Sequence, residues 1–158
     1  MFDQILGLPA HPLIIHAAVV LTPLLVVLSI AYAVLPAFRR RLDWAVVLTA
    51  IAAPAAVFGA KESGEELEAR LFKGQIPQPV LDHSSFANPL FFSTLGLGVV
   101  ALVLVYLTRP VREPGTAATG SARAVSLVLS VLAVVLALVV AYYVFRAGDS
   151  GARAVWGS

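Results

Sequence analysis

Three histidines and a run of carboxylates are the residues of this 158-residue chain that could bind a metal ion or a haem. His11 and His16 lie in "LPAHPLIIHAAVV" (8–20), and His83 lies in "VLDHSSFANP" (80–89). Imidazoles with carboxylates suit Zn²⁺, Cu²⁺ or Fe²⁺, and two imidazoles on different helices suit a non-covalent b-type haem. The chain has no HExxH, glycine-rich phosphate loop or G-x-S-x-G motif, so we do not expect an enzyme.

His11 and His16 cannot bind one ion side by side on a regular helix. A separation of five residues leaves their side chains about 140° apart around the axis. Because His11 precedes Pro12, its backbone is displaced from helical angles, and it could fold back over the helix end. The sequence leaves three interpretations of His16 open: a hydrogen bond to a neighbouring helix, a metal or haem ligand, or a proton-handling group.

An acidic stretch, "ESGEELEARLFK" (62–73), supplies the candidate carboxylates. On a helix, Glu65 and Glu68 share one face and could turn toward the protein, while Glu66 and Arg70 form an i,i+4 pair on another face. An acidic run is also typical of a helix face in water. The predicted metal-binding residues are His11, His16, Glu65, Glu68 and His83, and the predicted haem ligands are His16 and His83.

The composition indicates that a membrane surrounds these residues. Hydrophobic residues make up 59% of the chain, charged residues make up 13%, and the mean hydropathy is +0.90; a soluble domain is about half apolar and a quarter charged. The chain has no cysteine, which excludes disulfides, thiolate metal sites, iron–sulfur ligation and covalent haem attachment. A formal charge of +2 without a basic stripe argues against nucleic acid as a partner.

Four apolar runs are long enough to cross a bilayer core of roughly 30 Å as helices. They cover about residues 12–36, 43–61, 88–108 and 124–146; the second is expected to extend as an outer helix to about 73, and an outer tail covers 147–158. We therefore predict a single all-α domain over 1–158, an integral membrane four-helix bundle. Pro23 and Pro54 predict kinks inside helices, and Asp43 is expected to cap the second helix.

Small and basic residues predict packing and orientation. The alanine-rich second run is expected in the interior, and the Val/Leu-rich fourth run is expected to face lipid. Arg39–Arg41 lie between the first two runs, and Arg109, Arg112 and Arg123 lie between the last two. Because basic loops stay in the cytoplasm, both termini are expected outside (N-out, C-out). All three histidines and every carboxylate except Asp43 and Glu113 then fall in the outer half.

Four short motifs occur along the chain. They are a Leu-Pro-x-His-Pro-(apolar)-x-x-His start, a Gly-Glu-x-Leu-Glu-x-Arg-like stretch over 64–70, His83 before the third run, and the tail "GDSGARAVW" (148–156). In this combination nearly the whole chain resembles a widespread bacterial family of small four-helix membrane proteins of unknown function. The resemblance implies a multi-pass protein of the bacterial cytoplasmic (inner) membrane. Some relatives are fused to Rieske or cytochrome-c-type domains, which implies a redox setting at the outer membrane face.

The tail contributes two further candidate residues. Some relatives have His where this chain has Asp149, and the difference argues against haem more than against a metal ion, because Asp also ligates metals. Trp156 is an amphipathic ring suited to the membrane interface. Gly148 and Gly151 permit the chain to turn back, so we expect the tail to close over the outer site as a lid.

Two functions from different classes fit these patterns. The first is a redox-associated accessory protein that holds a b-type haem or a transition metal at the outer membrane face. The second is a structural or assembly subunit of a larger membrane complex, without a cofactor of its own. Expected partners are the lipid bilayer and respiratory or other membrane-complex subunits, or a second copy of the chain. A transporter or proton carrier is disfavoured because the centres of the runs carry no charges.

Overall fold

The computed structural model describes residues 4–5, 8–109 and 120–156, with side chains described from residue 14 onward except Val155. Two short strands, Gln4–Ile5 (β1) and Leu8–Pro9 (β2), pair antiparallel near the N-terminus. The helices are α1 (Ala10–Val34), α2 (Arg39–Phe72), α3 (Gln78–Ser84), α4 (Ala87–Thr108) and α5 (Gly120–Trp156). A 3-10 turn, Pro36–Phe38, joins α1 to α2.

Four segments of the described chain are long and apolar enough to cross a membrane. They are Ile14–Val34, Pro36–Phe72, Gln78–Thr108 and Gly120–Ala154. Apart from the two-residue strands, the described residues form helices and their connections. The predicted fold class is therefore confirmed: the protein is an all-α membrane bundle with four helices that can span the bilayer.

The four spanning helices form a ring in which each packs against two neighbours. α1 contacts α2, α2 contacts α4, α4 contacts α5, and α5 closes the ring against α1, whereas α1 and α4 barely meet across the centre. The end of α1, the start of α2 and the end of α4 come together at one end of the bundle. We call this the arginine end, after Arg39–Arg41. The opposite end, where α3 lies against the last turns of α5, is the histidine end.

Small residues let α2 and α4 approach closely. Ala50 and Ala53 of α2 face Gly98 and Ala101 of α4 in the buried core. A Cβ built on Gly98 would lie 2.6 Å from the carbonyl oxygen of Ala50, so only glycine fits there. Lipid tails give helices no hydrophobic reason to associate, and close packing of this kind replaces that drive. As expected from the sequence, the apolar part of α2 is more buried than that of α5, at 33% against 17%.

Two helix boundaries differ from the sequence-based expectations. Asp43 does not cap α2, because the turn at Pro36–Phe38 leads directly into a helix that begins at Arg39. The tail does not turn back as a lid, because α5 continues through Gly148 and Gly151 to Trp156. Glycine permits a turn without requiring one, and here the helical hydrogen bonds continue. Pro23 and Pro54 lie inside α1 and α2, and their kinks stay predictions.

The α2–α4 contact gives a stability test with a matched control. We expect Gly98→Ala to destabilise the bundle by about 1–3 kcal/mol, the usual cost of overpacking, because the obstructing atom is a backbone oxygen that cannot rotate away. Gly96 lies two residues away on the same helix, and a Cβ there would meet nothing within 4 Å. Gly96→Ala should therefore be neutral or slightly stabilising. SDS-induced unfolding in mild detergent measures both; equal midpoints would contradict the contact.

Candidate functional site

At the histidine end, His83 of α3 bonds to α5. The half-buried imidazole places Nδ1 3.2 Å from the Ser150 hydroxyl oxygen, and that hydroxyl lies 3.2 Å from the Ala147 carbonyl oxygen, to which it donates. His83 and Ser150 are therefore hydrogen-bond partners, and the tautomer of the imidazole sets which of the two donates.

Gly151 provides the surface on which the His83 ring lies. A Cβ built on Gly151 would be 3.0 Å from Cε1 and 3.2 Å from Nδ1 of the imidazole. A side chain at this position would require the ring to shift by a few tenths of an ångström. The glycine that suggested a turning tail therefore allows close packing between α3 and a straight α5.

A second contact joins the same elements. The guanidinium carbon of Arg146 lies 5.1 Å from the centre of the Phe86 ring, within the range of a cation–π interaction. Phe86 lies between α3 and α4, so this contact and the His83–Ser150 bond hold the α3–α4 corner against α5. Together they give the histidine end a fixed shape without a covalent link.

The other acidic and tail candidates lie in local contacts. Glu65 Oε1 is 2.8 Å from the ammonium nitrogen of Lys61, one turn earlier on α2. Asp149 Oδ2 is 3.1 Å from Nε of Arg153, one turn later on α5. Trp156 is 83% exposed at the end of α5, so its ring does not cover the histidine end. Glu65 and Asp149 would each have to leave an ion pair to bind a metal ion.

The remaining candidate ligands lie on helices other than α3 and α5. His16 is exposed on α1, and Glu68 is half-buried on α2. The N-terminal part of α1 packs on α2 near Gly59, where a Cβ would lie 3.2 Å from Ile14 Cγ2. His11 belongs to α1 by its backbone, but its side chain lies outside the described residues.

No three His, Asp or Glu side chains within the described part of the chain form a group that could hold a metal ion. His16, Glu65, Glu68 and His83 therefore do not make a three-ligand site by themselves. A site that includes His11, and a haem held between His16 and His83, stay predictions.

A polar cluster at the arginine end was not indicated by the sequence patterns. The Tyr32 hydroxyl, at the end of α1, donates to Asp43 Oδ1 on α2 over 2.8 Å and lies 2.9 Å from the Thr108 hydroxyl of α4. Tyr32 is 1% exposed. Arg109 extends the cluster, with Nε 3.8 Å from the other Asp43 oxygen. Three spanning helices are thus joined through one phenol and one carboxylate.

Arg39 connects this cluster to α5, the fourth spanning helix. Its Nε donates to the Tyr32 carbonyl over 3.0 Å, and its Nη2 donates to the Ala33 carbonyl over 3.3 Å and to the Ser130 hydroxyl of α5 over 3.4 Å. Its guanidinium also lies 5.4 Å from the centre of the Tyr32 ring. A cation on the last carbonyls of a helix is favourable. Arg39, which the sequence analysis used only to predict the orientation in the membrane, therefore also holds helices together.

A comparison with protein families gives a match over almost the whole chain. The family model described as "Predicted membrane protein (DUF2231)" matches residues 7–158. No curated protein and no solved structure matches the chain. Both polar contact regions, at the arginine end and at the histidine end, lie within the matched range.

The arginine-end cluster predicts the effect of removing one oxygen atom. We expect Tyr32→Phe to destabilise the protein by about 1–3 kcal/mol, because the half-buried Asp43 loses a donor. Tyr106→Phe is the control, since Tyr106 is 79% exposed. The midpoint of SDS-induced unfolding should fall for the first variant and stay unchanged for the second. A fall of equal size in both would contradict the role of the phenol.

The histidine end has its own matched pair of glycines. Gly151→Ala should displace the His83 ring by a few tenths of an ångström and loosen α3, lowering the free energy of local opening by about 1 kcal/mol, the low end of the overpacking cost, because a side chain can move where a backbone oxygen cannot. Gly148→Ala is the control, because a Cβ there meets nothing within 4 Å. Hydrogen exchange of the α3 amides, Gln78–Ser84, measures the effect. Unchanged α3 exchange in Gly151→Ala would contradict the contact.

Proposed function

We propose, since the chain belongs to the DUF2231 family of predicted membrane proteins, that it is a structural or assembly subunit of a larger membrane complex. In this role the polar side chains hold the helices in a fixed arrangement, and the bundle presents that arrangement to partner subunits. Such partners include respiratory or other membrane-complex subunits or a second copy of the chain. The proposal requires no catalytic group and no cofactor of its own.

One observation carries this proposal: His83, the best-placed candidate ligand, serves as a contact between helices. Its Nδ1 bonds to Ser150 and its ring packs on Gly151. Glu65 and Asp149 are likewise in ion pairs within their own helices. A polar set used in this way stabilises shape, and a fixed shape is what an assembly subunit must offer.

The outer faces of the helices support the same role. On α2, the side chains of Trp44, Leu48, Ile51 and Phe58 are each about half exposed or more. Their spacing of three, four and seven residues puts them on one face of the helix. This apolar stripe runs along the span and is available to lipid and to a partner helix.

We further propose that the protein lies in the bacterial cytoplasmic membrane with its histidine end outside. The described arginine end carries Arg39–Arg41, Arg109 and Arg123, next to Asp43. The positive-inside rule assigns such an end to the cytoplasm. Partner subunits would then reach the α3–α5 contact from the outer side.

A redox accessory role is the second candidate, and the orientation of His83 favours it. Ligating histidines usually bond one ring nitrogen to a protein group and use the other for the metal. The Nδ1 atom of His83 bonds to Ser150, and in the tautomer with the proton on Nδ1 the other ring nitrogen, Nε2, would serve as the ligand. When bound, a haem would supply electron transfer; His16 and His83 would hold it, or His11, His16, Glu65, Glu68 and His83 would hold a transition metal.

Three substitutions at His83 separate the two candidates. An Asn side chain reproduces the position of Nδ1 but not Nε2, whereas a Gln side chain approximates Nε2 but not Nδ1. If His83 is structural, we expect His83→Asn to retain α3 protection and copurifying subunits, while His83→Gln and His83→Ala lose protection. If His83 is a ligand, His83→Asn should lose the bound group although α3 remains protected.

The measurement combines visible spectroscopy, elemental analysis and native mass spectrometry on the protein purified from its own membrane in mild detergent. A colourless, metal-free preparation with other subunits bound would support the assembly role. A Soret band that shifts on reduction, or stoichiometric zinc, copper or iron, lost in His83→Asn, would overturn it in favour of the redox role.

A further inference from the structure

An apolar groove runs between α1 and α5 near the arginine end. Its volume is about 280 Å³, and it is open along one side. Ala33 and Val34 of α1 form one wall, and Leu127, Val131 and other valines of α5 form the opposite wall. Ser130 is the single polar residue in the lining. The groove lies within the apolar spans of both helices, where its natural occupant is a hydrocarbon chain.

A cation borders this groove. Arg39 Nη2 donates to Ser130 and to the carbonyl of Ala33, and both of these residues line the groove. The protein partners of the guanidinium, two carbonyls and one hydroxyl, are all neutral. In the part of the chain with described side chains, no carboxylate forms an ion pair with Arg39. A cation at the edge of a bilayer is costly unless it is paired, so a negative charge from outside the protein would stabilise it.

The surrounding charge favours the same kind of partner. Arg40, Arg41, Arg109 and Arg123 lie on the exposed surface of this end. Asp43 is the only carboxylate among the described residues here, and it is held by Tyr32 and Arg109. An anionic group that approaches this end therefore meets an excess of positive charge, in the leaflet where anionic lipids attract basic residues.

We propose that the groove is a binding site for an anionic phospholipid. One acyl chain lies between α1 and α5 along Val34 and Val131, and the phosphate pairs with the guanidinium of Arg39. A molecule with a long apolar chain joined directly to a negatively charged head group fits both the apolar groove and the Arg39 guanidinium. An uncharged apolar helix would satisfy the groove but not the cation, and free phosphate would satisfy the cation but not the groove. The site is independent of the function proposed for the histidine end.

A groove-filling variant and its control test the apolar part. Val131→Trp places a large ring in the groove, whereas Val128→Trp adds the same ring to an exposed position of α5, 65% exposed and outside the lining. The full chain in detergent is mixed with equal amounts of phosphatidylglycerol and phosphatidylcholine that have identical acyl chains. Native mass spectrometry then measures which lipid each variant retains. We expect preferential retention of phosphatidylglycerol by the wild type and by Val128→Trp, and loss of that preference in Val131→Trp.

The charge at Arg39 gives a second test. Arg39→Gln should weaken retention of phosphatidylglycerol about fivefold, the factor for roughly 1 kcal/mol per basic residue near an anionic surface. Arg39→Lys keeps the charge and should retain most of the preference, which separates charge from the bonds to Tyr32 and Ala33. Circular dichroism and the SDS-unfolding midpoint establish that each variant is folded before lipid is compared.

Three results would overturn the proposal. Equal retention of the two lipids by the wild type would show that the groove holds no specific lipid. Displacement of phosphatidylglycerol by inorganic phosphate would indicate a site for a free anion. A change in oligomeric state in Val131→Trp but not in Val128→Trp, without a change in lipid preference, would assign the groove to a second copy of the chain.

Discussion

A polar group buried within a bilayer is costly unless it is bonded inside the protein, and the Tyr32–Asp43 hydrogen bond satisfies this constraint between two helices of the bundle. The phenol ends α1, the carboxylate lies near the start of α2, and Thr108 ends α4. Arg39 completes the set by bonding to the α1 carbonyls and to Ser130 of α5. These contacts join all four spanning helices at the arginine end, and apolar packing joins them in the core.

Close packing at glycine residues also holds the helices together. Gly98 against the Ala50 carbonyl brings two backbones together in the core, and Gly151 does the same for the His83 ring at the histidine end. Both contacts depend on a missing side chain, one in the middle of α4 and one near the end of α5. The bundle is thus held by small residues where helices cross and by hydrogen bonds where they end.

The sequence was sufficient to predict four spanning helices, because a helix needs about 20 consecutive apolar residues to cross a bilayer core. It was insufficient for Tyr32 and Asp43, because their partners are set by the spatial order of helices and not by spacing along one helix. Asp43 looked like a cap because it preceded an apolar run, yet the helix begins earlier at Arg39. Gly148 and Gly151 suggested a turn, but a glycine in a sequence is equally compatible with a turn of the backbone and with close packing in a straight helix. For His83, the sequence patterns predicted neither the short helix α3 on which it lies nor Ser150 as its partner.

The length of α5 links the two ends of the protein to the thickness of its membrane. Ser130 bonds to Arg39 at one end and Ser150 bonds to His83 at the other, and at 1.5 Å per residue these anchors lie about 30 Å apart, the thickness of a hydrocarbon core. The helix cannot slide along its axis without breaking one of these bonds. In a thinner or thicker bilayer we expect the bundle to tilt as one body, or the lipid to deform around it, so the distance between these two bonds defines the bilayer thickness that suits the protein.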